Sequence, residues 1–219
     1  MTLFVLLILT MGFEVPDIDA IKHPTGKRAE EITAVREGLA ELAPIFAKVG
    51  KSGKLVSAEV DPYLLASVAY FESRWHPRGP DGDCRTMIDG TRICDSFGPM
   101  QLSTGSSRWL PLLDRKKWKN STVKKLREPE LNVEAAYDEM AYLKRKCRGR
   151  PFVWLSSYPP GACRPKGNWE GHRRCALAVA LAKRAGVNFK CGHDPRKVEG
   201  KTRALVRHIL RVGSIERSN

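Results

Sequence analysis

Residues 61 to 77 read DPYLLASVAYFESRWHP, and this segment governs how the rest of the chain is interpreted. It predicts a helix with a marked beginning and end. Asp61 can cap the first turn, because its side chain can accept a hydrogen bond from a free backbone N–H, and Pro62 suits the first helical position. A proline disfavours helical geometry in the residue before it, so the helix ends by His76. We therefore expect a helix over residues 63–75.

Glu72 is the unusual residue of this helix. Leu65 and Val68 precede it by seven and four residues, so all three side chains lie on the same helical face. Burial on an apolar face disfavours the charged form of a carboxyl group. A carboxyl that keeps its proton near neutral pH can protonate a leaving oxygen. The simpler alternative is a partly exposed glutamate paired with a neighbouring arginine.

Four short motifs follow one another along the chain. They are FESRWHP at 71–77, SFGPMQL at 96–102, EPELNV at 128–133 and SYPPG at 157–161. In this order they resemble the signatures of the soluble lytic transglycosylases, which read Glu-Ser-x-aromatic-x-Pro, Gly-Leu-Met-Gln, Asp-Pro-x-x-Asn-Ile and Tyr-Asn-Ala-Gly. The resemblance covers about residues 60–162. It implies a lysozyme-like, mainly α fold with a groove that binds peptidoglycan glycan strands.

The same resemblance assigns roles to individual residues. Glu72 would be the catalytic acid and afterwards the base. The groove would bind the sugar through Ser96, Gly98, Met100, Gln101 and Tyr158. Gly98 would let the backbone approach the substrate, Met100 and Gln101 would line the groove beside the scissile bond, and the Tyr158 hydroxyl would orient the sugar or the catalytic carboxyl. Asn132 would instead hold the start of a helix.

Three departures from the family pattern concern the details of sugar binding. Pro159 stands in place of the motif asparagine, which removes a polar side chain and a backbone donor. Pro99 replaces the leucine of the second motif. The segment from Glu72 to Gly98 is longer than usual in the family and carries two cysteines.

The resemblance also implies a mechanism that uses one carboxyl group, whereas most glycosidases use two. Glu72 would protonate the oxygen of the β-1,4 bond between N-acetylmuramic acid and N-acetylglucosamine. The carboxylate would then take a proton from the C6 hydroxyl of the muramic sugar, which closes a 1,6-anhydro ring without water. No metal and no cofactor is needed.

A hydrolase of goose-type lysozyme character is the nearest alternative. It would need a second carboxylate to position water, and the candidates in the polar loop before the second motif are Asp81, Asp83, Asp89 and Asp95. A second alternative is a non-catalytic wall-binding or virion protein that keeps the same fold. A nucleic-acid binder is disfavoured, because no helix-turn-helix, RRM or zinc-finger pattern is present.

The charge of the chain favours an anionic partner. The 219 residues carry a formal net charge of +14, and residues 164–219 hold 14 Lys or Arg against four Asp or Glu. An anionic wall polymer, a lipid surface and a nucleic acid all fit such a charge. We expect a basic amphipathic helix at 201–212 to contact wall polymer or lipid. The alternative is a solvated helix that completes the fold.

Six cysteines and the first residues bear on the compartment. The apolar run at the start of the chain is too short to span a bilayer, which takes about 20 residues, and it fits the core of a secretory signal cleaved after Ala20. An uncleaved anchor or a buried N-terminal segment are the alternatives. An even cysteine count in an exported chain predicts three disulfides. Cys84 and Cys94 form the best candidate pair because they bracket a short polar loop, and the remaining connectivity stays open.

These observations predict one catalytic domain with short additions. We expect a signal peptide at 1–20, a linker at 21–28, a lysozyme-like domain at 29–198 with a long disulfide-bearing loop, and a basic C-terminal helix at 199–219. Further helices are expected at 29–49, 129–146 and 169–185, and a short helix or turn at 152–158. The protein would be an exported monomer of bacterial or phage origin, acting in the periplasm or on the cell-wall side.

Overall fold

The computed structural model describes residues 28–52, 60–79, 81–82, 84–103, 123–148, 151–158, 163, 169–191, 203 and 207. Within these ranges the helices are α1 Arg28–Ser52, α2 Pro62–Ser73, α3 Val123–Leu126, α4 Pro129–Lys146, α5 Pro151–Ser156 and α6 Trp169–Arg184. The strands are β1 Arg85–Thr86, β2 Arg92–Ile93, β3 Ser96–Phe97 and β4 Leu102–Ser103. The predicted mainly α class is confirmed.

Helix α2 lies at the centre of the core. It begins as expected, since the side chain of Asp61 accepts a hydrogen bond of 2.8 Å from the backbone N–H of Tyr63. Every residue from Tyr63 to Tyr70 is buried, because α2 packs against both α1 and α6. The helix ends at Ser73, two residues earlier than predicted.

The close approach of α1 fixes the chain just after α2. A Cβ atom on Gly38 of α1 would lie 2.2 Å from the carbonyl oxygen of Trp75, so only glycine fits at that position. The indole of Trp75 is fully buried and donates a hydrogen bond of 2.6 Å to the carbonyl of Ala66. This tryptophan therefore folds back onto the helix that it follows.

Two small antiparallel hairpins follow α2. Strands β1 and β2 pair with Arg85 opposite Ile93, and the Cys84–Cys94 disulfide closes their base. Strands β3 and β4 pair with Ser96 opposite Ser103 and carry the second motif in their turn. The disulfide predicted for this loop is confirmed.

The second half of the domain is formed by α4, α5 and α6. Helix α4 packs against α1 and α5, and α5 packs against α6. A disulfide joins Cys147, directly after α4, to Cys163, and another joins Cys175 of α6 to Cys191. All six cysteines are therefore paired, as the even count predicted.

Several predictions fall outside the described residues. They concern the leader and linker at 1–27, Asp83, Pro159 and most of the basic segment at 192–219. Of the predicted helix at 201–212, the structure describes Arg203 and Arg207, which are exposed and helical. Among the described helices, none is long and apolar enough to cross a membrane.

Candidate active site

Glu72 lies in the last turn of α2, where the chain leaves the core. The two residues that follow the helix, Arg74 and Trp75, have left-handed backbone angles of φ 57° and 58°. The N–H of Arg74 still bonds to the carbonyl of Tyr70, so the helix terminates in an ordered turn. Glu72 is thereby held on a rigid element while its side chain keeps access to solvent.

A buried arginine contacts the Glu72 carboxylate. The Nη2 atom of Arg174, on α6, lies 2.5 Å from Oε1 of Glu72. The side chain of Arg174 is 4% exposed and that of Glu72 is 13% exposed. Nη1 of Arg174 also donates to the carbonyl of Tyr158 at 2.8 Å and to the carbonyl of Leu155. Because these carbonyls fix the guanidinium, Arg174 orients Glu72 and stabilises its ionised form.

A second carboxyl group belongs to the same cluster. Glu139 of α4 is buried, with 6% of its surface exposed. Burial, and secondly the negative charge of Glu72, raise the pKa of Glu139 to about 8. Glu139 therefore holds a proton at neutral pH, within the electrostatic influence of the candidate catalytic acid.

Tyr158 is fully buried at the edge of this cluster. Its hydroxyl donates a hydrogen bond of 2.7 Å to the carbonyl of Met100, and its ring centre lies 5.8 Å from the Arg174 guanidinium. Burial raises the pKa of Tyr158 well above its usual range, and the charges of Glu139 and Glu72 add to this. The hydroxyl thus stays protonated, and its hydrogen bond to Met100 links the second motif to the cluster.

Asn132 holds the second motif from the first turn of α4. Its amide donates to the carbonyls of Phe97 and Leu126 at 2.9 and 2.8 Å, and its oxygen accepts the N–H of Met100 at 2.8 Å. Gly98, with φ 72°, lies so close that a Cβ there would meet the Asn132 amide nitrogen at 2.4 Å. Asn132 therefore lies in the first turn of α4, which begins at Pro129, and its side chain binds the turn of the second motif.

The remaining predicted substrate-binding residues lie in or beside this turn. Ser96 is buried, and its backbone pairs with Gly82. Met100 is fully buried, so its side chain lies in the core. Gln101 is also buried, has φ 47°, and donates from Nε2 to the carbonyl of Gly98 at 3.0 Å. Direct sugar contacts by these residues stay predictions.

Three of the four loop aspartates that a hydrolase could use have other partners, and Asp83 lies outside the described residues. Asp81 makes a two-point contact with Arg127 at 3.2 and 2.7 Å. Asp95 pairs with Arg85 at 2.8 Å, and Asp89 accepts the backbone N–H of Thr91.

Glu139 and Arg174 were missed by reasoning from the sequence. A signal for both was present, because Glu139 precedes Leu143 by four residues and Arg174 precedes Ala178 by four, which puts each on the buried face of its helix. The same argument applied to Glu72, which the motifs also singled out. Among the described residues there is no group of His, Cys, Asp and Glu that could hold a metal ion.

Comparison with known proteins gives one match and one negative result. The family model described as the transglycosylase SLT domain matches residues 53–175, which is more than half of the chain. No curated protein matches the sequence. The match includes all four motifs, the two hairpins and helices α2 to α5, and it supports a lysozyme-like domain with transglycosylase-type activity on peptidoglycan. The chain therefore belongs to the transglycosylase SLT domain family.

Proposed function

We propose that the protein is a lytic transglycosylase in which Glu72 is the general acid and then the general base. Glu72 protonates the oxygen that links N-acetylmuramic acid to N-acetylglucosamine in the β-1,4 bond. The resulting carboxylate accepts the proton of the muramic C6 hydroxyl, which attacks the anomeric carbon and closes the 1,6-anhydro ring. The proton given up in the first step is recovered in the second, so the enzyme ends as it began.

The placement of Glu72 is the observation that carries this proposal. The carboxyl lies on a buried helix, is 13% exposed and contacts the fixed cation of Arg174. The low-polarity surroundings strengthen every electrostatic interaction that the carboxyl makes, while its exposed edge can reach a sugar.

Among the residues that the structure describes, the environments of Asp81, Asp95 and Glu139 favour ring closure over hydrolysis. A hydrolase of this fold needs an ionised carboxylate to activate water. Asp81 and Asp95 form ion pairs with arginines, and Glu139 is buried and protonated at neutral pH. A protonated acid cannot accept a proton from water, so Glu139 is a poor general base there.

The decisive experiment is mass spectrometry of muropeptides released from purified peptidoglycan in water enriched in heavy oxygen. We expect 1,6-anhydro products without the heavy isotope. Glu72→Gln should lower the rate at least about a hundredfold, because the amide cannot donate the proton. Glu170→Gln, on α6 near the site, is the matched control and should keep its activity.

Two results would overturn the proposal. Products with a free reducing end that contains heavy oxygen would make the protein a hydrolase. The second result is that Glu72→Gln keeps the wall binding and the biological role of the wild type, and that neither protein releases muropeptides. This result would favour a binding protein without catalysis.

The setting of this activity follows the same reasoning. Three disulfides and a peptidoglycan substrate fit an exported protein that acts in an oxidising compartment. We keep the division into a catalytic domain at 29–198 and a basic segment at 199–219 as part of the proposal. Glycan strands are the partner of the first, and anionic wall polymer or lipid is the partner of the second.

A further inference from the structure

Two consecutive arginines of α6 contact two consecutive residues of α2. Arg174 contacts the Glu72 carboxylate at 2.5 Å, as described above. The guanidinium of Arg173 lies over the ring of Phe71, with 4.7 Å between its central carbon and the ring centre. Arg173 and Phe71 are both partly exposed, whereas Arg174 is buried. The proposed reaction gives no role to Arg173.

Phe71 belongs to a pair of aromatic rings that carries two guanidinium groups. Its ring meets the ring of Tyr70 edge-on, with the two centres 5.3 Å apart. Arg74 lies over the Tyr70 ring at 5.1 Å and donates a hydrogen bond of 3.0 Å to the Tyr70 hydroxyl. Because the face of an aromatic ring attracts a cation, the two rings hold Arg74 and Arg173 at the end of α2.

Arg173 stays positively charged at neutral pH although two other arginines act on it. Burial, and secondly the charge of Arg174, lower the pKa of Arg173 to about 10, and Arg74 acts in the same direction. The described acids that act on Arg173 are Glu170 and Glu72, and Glu72 contacts Arg174. Among these described groups, three cations therefore face two acids, and an anion bound beside Arg173 would relieve their repulsion.

The substrate has negative charge close to the bond that is cut. In the proposed reaction Glu72 protonates the oxygen on C1 of the muramic sugar, so this sugar lies against the exposed edge of Glu72. The same sugar carries at O3 a lactyl group that is extended by a short peptide with free carboxylates. Phe71 directly precedes Glu72, and a peptide spans about 3.5 Å for each residue, so these carboxylates can reach the guanidinium over Phe71.

A guanidinium suits a carboxylate better than an ammonium does. It is planar, and its N–H groups form a fork that can donate two parallel hydrogen bonds to the two carboxylate oxygens. Contact with the Phe71 ring restricts the Arg173 side chain before any ligand binds. Less conformational freedom is then lost on binding, which increases affinity.

We propose that Arg173, held over Phe71, binds a free carboxylate of the peptide on the muramic sugar and thereby makes the enzyme selective for glycan with an ionised peptide. This inference rests on the proposed function, because Glu72 fixes where the muramic sugar lies. Arg173 is a specificity residue in this proposal and takes no part in proton transfer.

The first test compares kcat/KM on two synthetic glycan oligosaccharides. One carries the peptide with free carboxylates, and the other carries the same peptide with every carboxylate converted to an amide. We expect the wild type to prefer the free acid about tenfold at low salt, which is the typical effect of a hydrogen bond to a charged group. The preference should fall as salt rises, because Arg173 is partly exposed.

Variants of Arg173 should change this preference and not the activity itself. Arg173→Gln should lose the preference and keep the wild-type rate on the amidated substrate. Arg173→Lys should keep part of the preference, because an ammonium retains the charge but lacks the fork. Arg184→Gln is the matched control, since Arg184 is the last residue of the same helix, about three turns away, and it should keep the full preference.

Three results of the first test would overturn the proposal. The first is a wild type that cleaves both substrates equally well. The second is an unchanged preference in Arg173→Gln. The third is an equal loss of activity on both substrates in Arg173→Gln, since that is the result of a structural contact between Arg173 and Phe71.

The second test measures binding and needs no catalysis. Glu72→Gln, with and without Arg173→Gln, is titrated calorimetrically with the same two oligosaccharides. The free acid should bind about tenfold more tightly than the amide when Arg173 is present, and equally tightly when it is replaced. Equal binding of both oligosaccharides to Glu72→Gln would overturn this inference even if the products are 1,6-anhydro sugars. Heavy oxygen in the products would overturn the proposed reaction and leave the preference in binding intact.

Discussion

Gly98 and Asn132 hold the second motif by a contact that leaves no room for a side chain. The glycine has φ 72°, and a Cβ would meet the Asn132 amide and the Leu126 carbonyl within 2.6 Å. The three hydrogen bonds of Asn132 are all to buried backbone groups. Such groups are costly to leave unpaired, so the amide and the glycine depend on each other.

We expect Gly98→Ala to lower the free energy of unfolding by about 3 kcal/mol, since it adds left-handed strain to a clash in a packed region. Urea denaturation measures this. Gly90→Ala is the matched control, because Gly90 has φ 82° with nothing within 4 Å of the added atom. It should cost about 1 kcal/mol. Equal losses in the two variants would contradict the clash.

At the residue scale, the sequence predicted one member of the site and not its partner. Glu72 could be identified because a motif surrounds it and an apolar face carries it. The burial of Arg174 could be expected from its position on α6, but its contact with Glu72 could not. Nothing in the sequence indicates that α6 brings the Arg174 guanidinium within 2.5 Å of the Glu72 carboxylate. Contacts across 102 residues depend on how helices pack, which periodicity along one helix does not contain.

At the scale of elements, α4 carries an acid whose protonation is coupled to folding. The pKa of Glu139 is about 8 in the folded protein against 4.5 for an ordinary glutamate. A raised carboxyl pKa means that the folded state binds the proton more tightly than the unfolded chain. Its contribution to stability is complete below pH 4.5 and is lost as pH rises towards about 8.

We therefore expect the wild type to lose stability relative to Glu139→Gln between pH 4.5 and 8, by on the order of 5 kcal/mol at most. Thermal unfolding of both proteins across this pH range gives the difference between their stabilities. The contributions of the other titrating groups cancel in this difference. Glu134→Gln, on the same helix, should follow the wild type. A constant difference at all pH values would show that Glu139 does not titrate with folding.

The limits of the helices were more predictable than their contacts. Asp61 and Pro62 marked the start of α2, Pro129 that of α4, and Gly186, with φ 71°, the end of α6. These are local signals, because capping and backbone strain depend on adjacent residues. Helix α2 ends at Ser73 because Arg74 and Trp75 adopt left-handed backbone angles. Neither position holds a proline or a glycine, so the sequence did not predict this end.

At the scale of the whole molecule, the charge is distributed unevenly. Residues 199–219 contain five Lys or Arg and two Asp or Glu, and Arg203 and Arg207 are exposed. Such a segment suits an anionic wall polymer or lipid surface more than a sugar groove.

We expect deletion of residues 199–219 to weaken sedimentation with insoluble cell walls and to reduce the dependence of binding on salt, because fewer charges are then neutralised. Cleavage of short soluble glycans should remain within about threefold of the wild type, as α1 to α6 are intact. Wall binding with the same affinity and the same salt dependence as the full chain would assign the segment to folding alone.

The early end of α2 has one more effect. Glu72 is the penultimate residue of the helix, so it lies at the end where the backbone carbonyls leave a partial negative charge of about half a unit. This dipole repels a carboxylate and so favours the protonated acid, in the direction opposite to the guanidinium. A single extra turn of helix would move that charge away, and the strength of the acid is thus set partly by the residue at which the backbone stops coiling.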